Sequence, residues 1–250
     1  MIKTFFIGAI CLSLSACSIL KSDPIKEQQE KAQKDKIIET QWVTLSSGQK
    51  IEVRYVHNPD YNEQPNEVLY IIKPDHSTKE TTTRVLGFAA QLLLTGSAQG
   101  DGFKKEDLTG SPTELRAIHQ NYAFKQYIKQ LEKDLVLDRK DNKVYSNAPI
   151  RFYPKKFRLI YDEYNGNTYS LKYQFTAIPT LNEQLAKKGE IFSSYYCFGT
   201  DNNKYTLEKW RENSYANVVE KAKSMVDQCF SGSYQRIWDE HLETLKMSFL

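Results

Sequence analysis

Two hydrophobic periods divide this chain. From Phe157 to Ala177 apolar residues fall on alternate positions: Phe157, Leu159 and Tyr161, then Tyr169, Leu171, Tyr173, Phe175 and Ala177. Ser170, Lys172, Gln174 and Thr176 fill the intervening positions of the second run. Successive strand side chains point to opposite faces, so this pattern predicts two antiparallel strands with one buried and one wet face. Asn165-Gly166 lies between the runs, and both residues tolerate the positive φ of a tight hairpin turn. Ile51-Glu52-Val53-Arg54-Tyr55 alternates in the same way. Trp42-Val43-Thr44-Leu45 precedes it across Ser46-Ser47-Gly48-Gln49, which predicts a second hairpin. Val68-Leu69-Tyr70-Ile71-Ile72 is continuously apolar between Asn66 and Pro74 and suits a buried strand. Glu190 to Phe198 predicts a further strand carrying Cys197.

Helical periods take over elsewhere. Ser111-Pro112-Thr113-Glu114 combines a capping serine, a first-turn proline and a glutamate that can reach back to the cap. A helix is therefore predicted from Ser111 to near Asp138. Leu115, Ile118 and Tyr122 form one stripe on it, and Phe124, Ile128, Leu131 and Leu135 continue on a shifted face. From Leu207 onward Trp210, Val218, Ala222, Met225 and Cys229 form another stripe, which Gly232 ends. Trp238, His241, Leu242, Leu245 and Phe249 then recur at the spacing of a final helix. Val85 to Leu94 is the most apolar run after the N-terminus. Runs of about 10–14 residues are more often buried helices than membrane spans, so a core helix is the preferred reading and a membrane-inserting segment its rival. Gly96 to Gly110 is a long glycine-rich loop. The expected architecture is α+β: an antiparallel β-sheet packed by helices on one face.

The N-terminus has a different character. Met1-Ile2-Lys3-Thr4 carries one positive charge, Phe5 to Leu14 is apolar, and Ser15-Ala16-Cys17 follows. A short charged region, an apolar core and small residues describe an export signal. Leu14-Ser15-Ala16-Cys17 resembles the lipobox of bacterial lipoproteins. Cys11 is the rival acceptor, but bulky Ile10 precedes it where the pattern wants a small residue. An ordinary secretory signal cleaved at the same place is the other alternative. The resemblance covers the first eighteen residues. It implies residues 1–16 as a signal peptide, a diacylglyceryl thioether on Cys17, cleavage after Ala16 and acylation of the new N-terminus. Ser18 implies transfer to the outer membrane in a Gram-negative cell, with the mature domain facing the periplasm or the cell surface. Two or more acyl chains hold a protein stably, at about 0.8 kcal/mol per buried CH₂.

Residues 17–40 read as a lipid-anchored polar stalk. Asp23-Pro24 looks like a helix start, and Glu27/Lys31 and Glu30/Lys34 are helix-supporting pairs. The stretch has little apolar face, so it is expected to be solvated, as a coil or partial helix. A partner-binding helix is the alternative. Residues 41–250 then form a single α+β domain.

Charge narrows the partners. The chain's formal charge is +3, and removing residues 1–16 takes away one lysine and leaves +2. A near-neutral domain is a poor candidate for nucleic acid or anionic lipid. With Cys11 removed and Cys17 lipidated, Cys197 and Cys229 remain as a pair. Export would place them in an oxidising space, which favours a disulfide over two buried thiols.

Little in the sequence points to catalysis. His57, His76, His119 and His241 show no metal-ligand spacing, neither cysteine has a neighbouring ligand, and no cofactor motif is present. His57 and His76 lie near Asp60 and Asp75, a pairing that could orient a base. His241 sits on an apolar stripe and reads as a core residue. Asp162-Glu163 are adjacent and therefore diverge on a strand. The abundant tyrosines could pack a sheet face or stack sugars or peptides. The expected function is a non-catalytic binding or accessory lipoprotein, of assembly-factor or toxin-immunity type, with an unidentified envelope protein as partner. A lipid-anchored hydrolase acting on cell wall or lipid is the alternative.

Overall fold

The computed structural model describes residues 24–58, 68–76, 105, 108, 110–116, 118–137, 143–180, 194–201 and 203–249. Their order is α1 (Pro24–Ala32), β1 (Lys36–Thr44), β2 (Lys50–His57), β3 (Val68–Ile72), β4 (Ser111–Arg116), α2 (Ile118–Asp134), β5 (Val144–Tyr161), β6 (Thr168–Ile178), β7 (Tyr195–Thr200), β8 (Tyr205–Thr206), α3 (Leu207–Gln228) and α4 (Gln235–Ser248). The fold is α+β, with helices packed against a largely antiparallel mixed sheet.

The long strand β5 organises that sheet. β2 and β3 follow one another along one of its edges, both parallel to it, and β6 runs antiparallel along the other. β2 reaches Phe152 and β3 begins opposite Arg158, so Pro154 falls between the two parallel ladders. Proline has no N–H to give a ladder, and Pro154 also sits at a register shift against β6. β1 extends the sheet beyond β2, β4 beyond β3, and β7 and β8 beyond β6. Asp162 N donates to Thr168 O and Gly166 N to Glu163 O across the Asn165-Gly166 turn.

The two-residue period turns the predicted apolar face inward, but the expected wet face is only partly exposed, because Ser170, Thr176, Arg158 and Ile160 are buried too. Phe152, Phe157, Leu159, Leu171, Tyr173, Phe175, Ala177 and Tyr195 are buried in the main core with residues of α2, α3 and α4. Burying an aromatic or aliphatic side chain of this size contributes roughly 1.5–3 kcal/mol. The indole groups retain partners: Trp210 Nε1 donates to Tyr169 O at 2.8 Å, and Trp238 Nε1 to Asp134 Oδ2 at 2.9 Å. Tyr127, Tyr195, Trp238 and Phe230 meet as an aromatic cluster where α2, β7 and α4 converge.

A small second cluster, Val56, Tyr153 and Ile178, lies apart from that core. The chain just before β1 is tied to the same corner by polar groups. Asp35 accepts from Asn58 Nδ2 at 2.5 Å and from Tyr153 Oη at 3.2 Å, and lies 3.9 Å from Arg151 Nη1. Asn58 also donates to Lys31 O, and buried Gln28 donates to Pro179 O at 3.1 Å. Residues 24–40 thus lie against the domain rather than standing off it as a solvated stalk, and residues 36–40 belong to strand β1. The apolar pattern missed this because the docking is polar.

Two further expectations change. Ser111–Arg116 is a strand, not the first turns of a helix. Tyr70 pairs with Pro112 and Ile71 with Ser111, and an edge strand tolerates the proline. The helix begins at Ile118 and ends at Asp134. Helix α3 is broken at Glu212–Tyr215, where Asn213, Ser214 and Tyr215 have φ of 49°, 56° and 66°. The apolar run of residues 84–96, most of the glycine-rich loop and residues 190–193 fall outside the described residues.

The Asp35 knot generates a stability prediction. Removing one partner from a buried ion pair strands the others, which costs about 3 kcal/mol. Asp35→Ala is expected to lower urea stability by that amount. An unchanged unfolding midpoint would show that the knot does not hold α1.

Candidate functional site

Ser111 Oγ lies 3.1 Å from His76 Nε2 on the exposed side of β4. A serine against a histidine is the beginning of a nucleophilic site, but the hydrogen bonding runs in the wrong direction. His76 Nδ1 accepts the Lys73 N–H at 3.1 Å. In the neutral imidazole that places the remaining proton on Nε2, which then donates to Ser111 Oγ. A base must offer Ser111 a lone pair instead. His76 in this arrangement caps a one-turn helical segment and holds the strand end.

The other histidines are dispersed. His57 ends β2 opposite Lys36, and Asp60 is outside the described residues. His119 falls within α2, and nothing further is described for its side chain. His241 is 1 % exposed, and its Nε2 lies 2.8 Å from Tyr127 Oη. Burial pushes the Tyr127 phenol well above its ordinary pKa, so it remains a neutral hydrogen-bonding group in the core. Asp162 accepts from Ser170 Oγ, while exposed Glu163 reaches Lys204 at 3.9 Å. The two carboxylates therefore serve separate partners. Among the described residues no group of three or more potential ligands is placed to hold a metal ion.

Cys197 on β7 and Cys229 after α3 stand at disulfide distance, with Cα atoms 5.7 Å apart and both residues buried. Tyr195 Oη donates to Cys229 O beside them. Helical spacing had already turned Cys229 inward, and the strand period does the same for Cys197. Cys17 lies outside the described residues.

Among the described residues, an open surface feature lies on the opposite side of the sheet. Lys156, Gln174 and Phe198 are register partners across β5, β6 and β7; Thr176 pairs with Tyr196 and Lys172 with Thr200. Lys156, Lys172, Gln174, Tyr196, Phe198 and Thr200 line an open cavity of about 350 Å³. Phe198 is 56 % and Tyr196 44 % exposed, and their rings are nearly parallel at 8° with centroids 6.4 Å apart. Tyr234 braces this wall: its ring meets Phe198 edge-on and its hydroxyl donates to Phe198 O. Lys172 Nζ donates to Thr200 Oγ1 at 2.8 Å. The site therefore offers two cationic side chains, an amide, a hydroxyl and two aromatic faces.

No family model matches the chain, and no curated protein or solved structure matches it either.

Sequence reasoning recognised the wet face of β6 but not this site. Its signal was present in the polar alternates Lys172 and Gln174, yet the contribution of Lys156 and Phe198 depends on strand register. The paired cysteines generate a direct prediction. A disulfide closing a loop with a separation of 32 residues stabilises by roughly 3–4 kcal/mol. Mass spectrometry without reductant is expected to show Cys197 joined to Cys229, and reduction to lower urea stability by about that amount. Free thiols at both positions would refute the bond.

Proposed function

We propose that this chain is an envelope lipoprotein, held by acyl chains on Cys17, whose α+β domain binds a partner without catalysing a reaction. The observation that carries the binding part is the aromatic and cationic cavity on the open sheet face. The anchoring part rests on Leu14-Ser15-Ala16-Cys17. Transfer to the outer membrane follows from Ser18 under the lipoprotein pattern. The role is that of an assembly factor, a structural accessory or an immunity protein directed against a toxin in the envelope.

Docking of α1 supports a particular placement. Seven residue steps separate Cys17 from Pro24, and an extended chain of that length spans at most about 25 Å. The domain is thus kept close to the bilayer instead of being released on a long stalk.

A second reading, a lipid-anchored hydrolase acting on cell wall or lipid, is favoured by the Ser111–His76 contact. The direction of its hydrogen bonds opposes that reading. A fluorophosphonate probe is accordingly expected to leave Ser111 unmodified. Labelling that disappears in both Ser111→Ala and His76→Ala would establish the hydrolase instead.

For the principal reading, Cys17→Ser is expected to abolish lipid labelling and block cleavage by the lipoprotein peptidase. Persistent lipidation would overturn the anchor assignment. Crosslinking in the native envelope is expected to capture a specific partner, and recovery of the protein alone would count against binding.

A further inference from the structure

We infer that β1 is a self-association surface: two copies of this chain join their β1 strands antiparallel about a two-fold axis at Thr40 and continue one sheet across the pair. The inference goes beyond the binding reading and does not rest on it. Its starting point is how the outer strands of the sheet are finished. An exposed sheet edge presents unpaired N–H and C=O groups, which short strands, prolines or covering contacts usually blunt. β4 is six residues long and contains Pro112. At β7, the Tyr234 hydroxyl donates to Phe198 O. β1 is nine residues long, carries neither proline nor glycine, and has β2 as its partner among the described strands. Ile37, Ile38 and Trp42 on it are each about half exposed. The register against β2 shifts between Ile37 and Glu39, which leaves Ile38 without an opposite residue there. A long apolar edge strand of this kind recruits another strand.

The residue order of β1 selects a second copy as that strand and sets the register. Lys36 and Glu39 are its only charged residues, so the strand is neutral and two copies do not repel. In an antiparallel pair the side chains directly opposite one another interact most. Aromatic residues pair well with β-branched ones, threonine pairs well with threonine, and like charges are unfavourable. Centring the pair on Thr40 sets Thr40 against Thr40, Ile38 against Trp42 on both sides of the axis, and Glu39 against Gln41. The last contact repeats between copies a bond made within β1, where Gln41 Nε2 donates to Glu39 Oε1 at 2.6 Å. Centring on Glu39 would oppose two carboxylates, and centring on Gln41 would set charged Glu39 against apolar Val43. Parallel pairing in register would bring Glu39 beside Glu39 and Lys36 beside Lys36. Centring on Thr40 also overlaps the whole of both strands. The symmetry is closed, so association stops at two copies. The axis stands normal to the sheet, so both copies of α1 lie on the same face of the joined sheet.

Pairing along a single strand is a small interface, so the dimer is expected to be weak and dependent on concentration. Sedimentation equilibrium of the full chain in detergent is expected to show the protein mass rising from one copy toward two. Trp42→Lys sets an ammonium against Ile38 on both sides of the axis and is expected to weaken association roughly tenfold. Ile38→Glu makes the same test should Trp42→Lys alter thermal unfolding. Engineered thiols report the register. Thr40→Cys places two thiols across the axis within reach of a disulfide, and oxidation in native membranes is expected to yield a covalent dimer. Thr44→Cys, also on the exposed side of β1, stands roughly 27 Å from its counterpart in this register. It is expected to give no dimer beyond that of the parent chain, which measures any linkage through Cys17. A monomer at every concentration, equal linkage by Thr44→Cys, a Thr40→Cys adduct with another protein in place of the dimer, or undiminished association in the folded variants would overturn the assignment.

Discussion

Strand β6 sends Leu171, Tyr173, Phe175 and Ala177 into the core and Lys172, Gln174 and Thr176 to the opposite face. A strand has no freedom to separate these two assignments, because its side chains alternate by geometry. Burial of the first set under α3 and the aromatic cluster therefore holds the second set in register with Lys156 on β5 and Phe198 on β7. A slip of one residue would bring Lys172 inward and expose Tyr173. The hydrophobic free energy of the core thus positions the polar cavity, although the cavity residues contribute little to that core.

The structure protects this arrangement at its two weak points. β7 has β6 as its partner among the described strands, and an edge strand frays easily. Tyr195, Cys197 and Tyr234 secure it: Tyr195 packs on Trp238, Cys197 meets Cys229, and Tyr234 reaches Phe198 O. The opposite corner is secured by polar rather than apolar contacts. Asp35 gathers Asn58, Tyr153 and Arg151 and so fastens the segment between α1 and β1. A buried charge is costly unless satisfied from several sides, which is why this contact specifies one docked position.

Where local pattern and burial agreed, the sequence was legible. Asn165-Gly166 and the alternating run after it identified the β5–β6 hairpin, and Trp238, His241, Leu242 and Leu245 identified the buried face of α4. The capping signature at Ser111 was misleading because its alternative, pairing with β3, depends on residues some forty positions earlier. The stretch before β1 was misread as a stalk because its partners, Asn58, Arg151 and Tyr153, are equally remote in sequence. Three consecutive positive φ values in α3 left no mark on its apolar stripe, since the break falls on its exposed side.

By itself the sequence determined the α+β class, the inward faces of the paired strands and helices, and the pairing partners available to Cys197 and Cys229. These follow from periodicity and composition, which act over a few residues or over the whole chain. Tertiary structure alone decided that β2 and β3 share one edge of β5, that α1 docks, and that Lys156, Gln174 and Phe198 form one row. Local pattern says which way a side chain points, whereas register and long-range pairing determine what stands beside it. The candidate site belongs to that second category: each of its residues is ordinary in sequence, and its chemistry arises from three strands brought together.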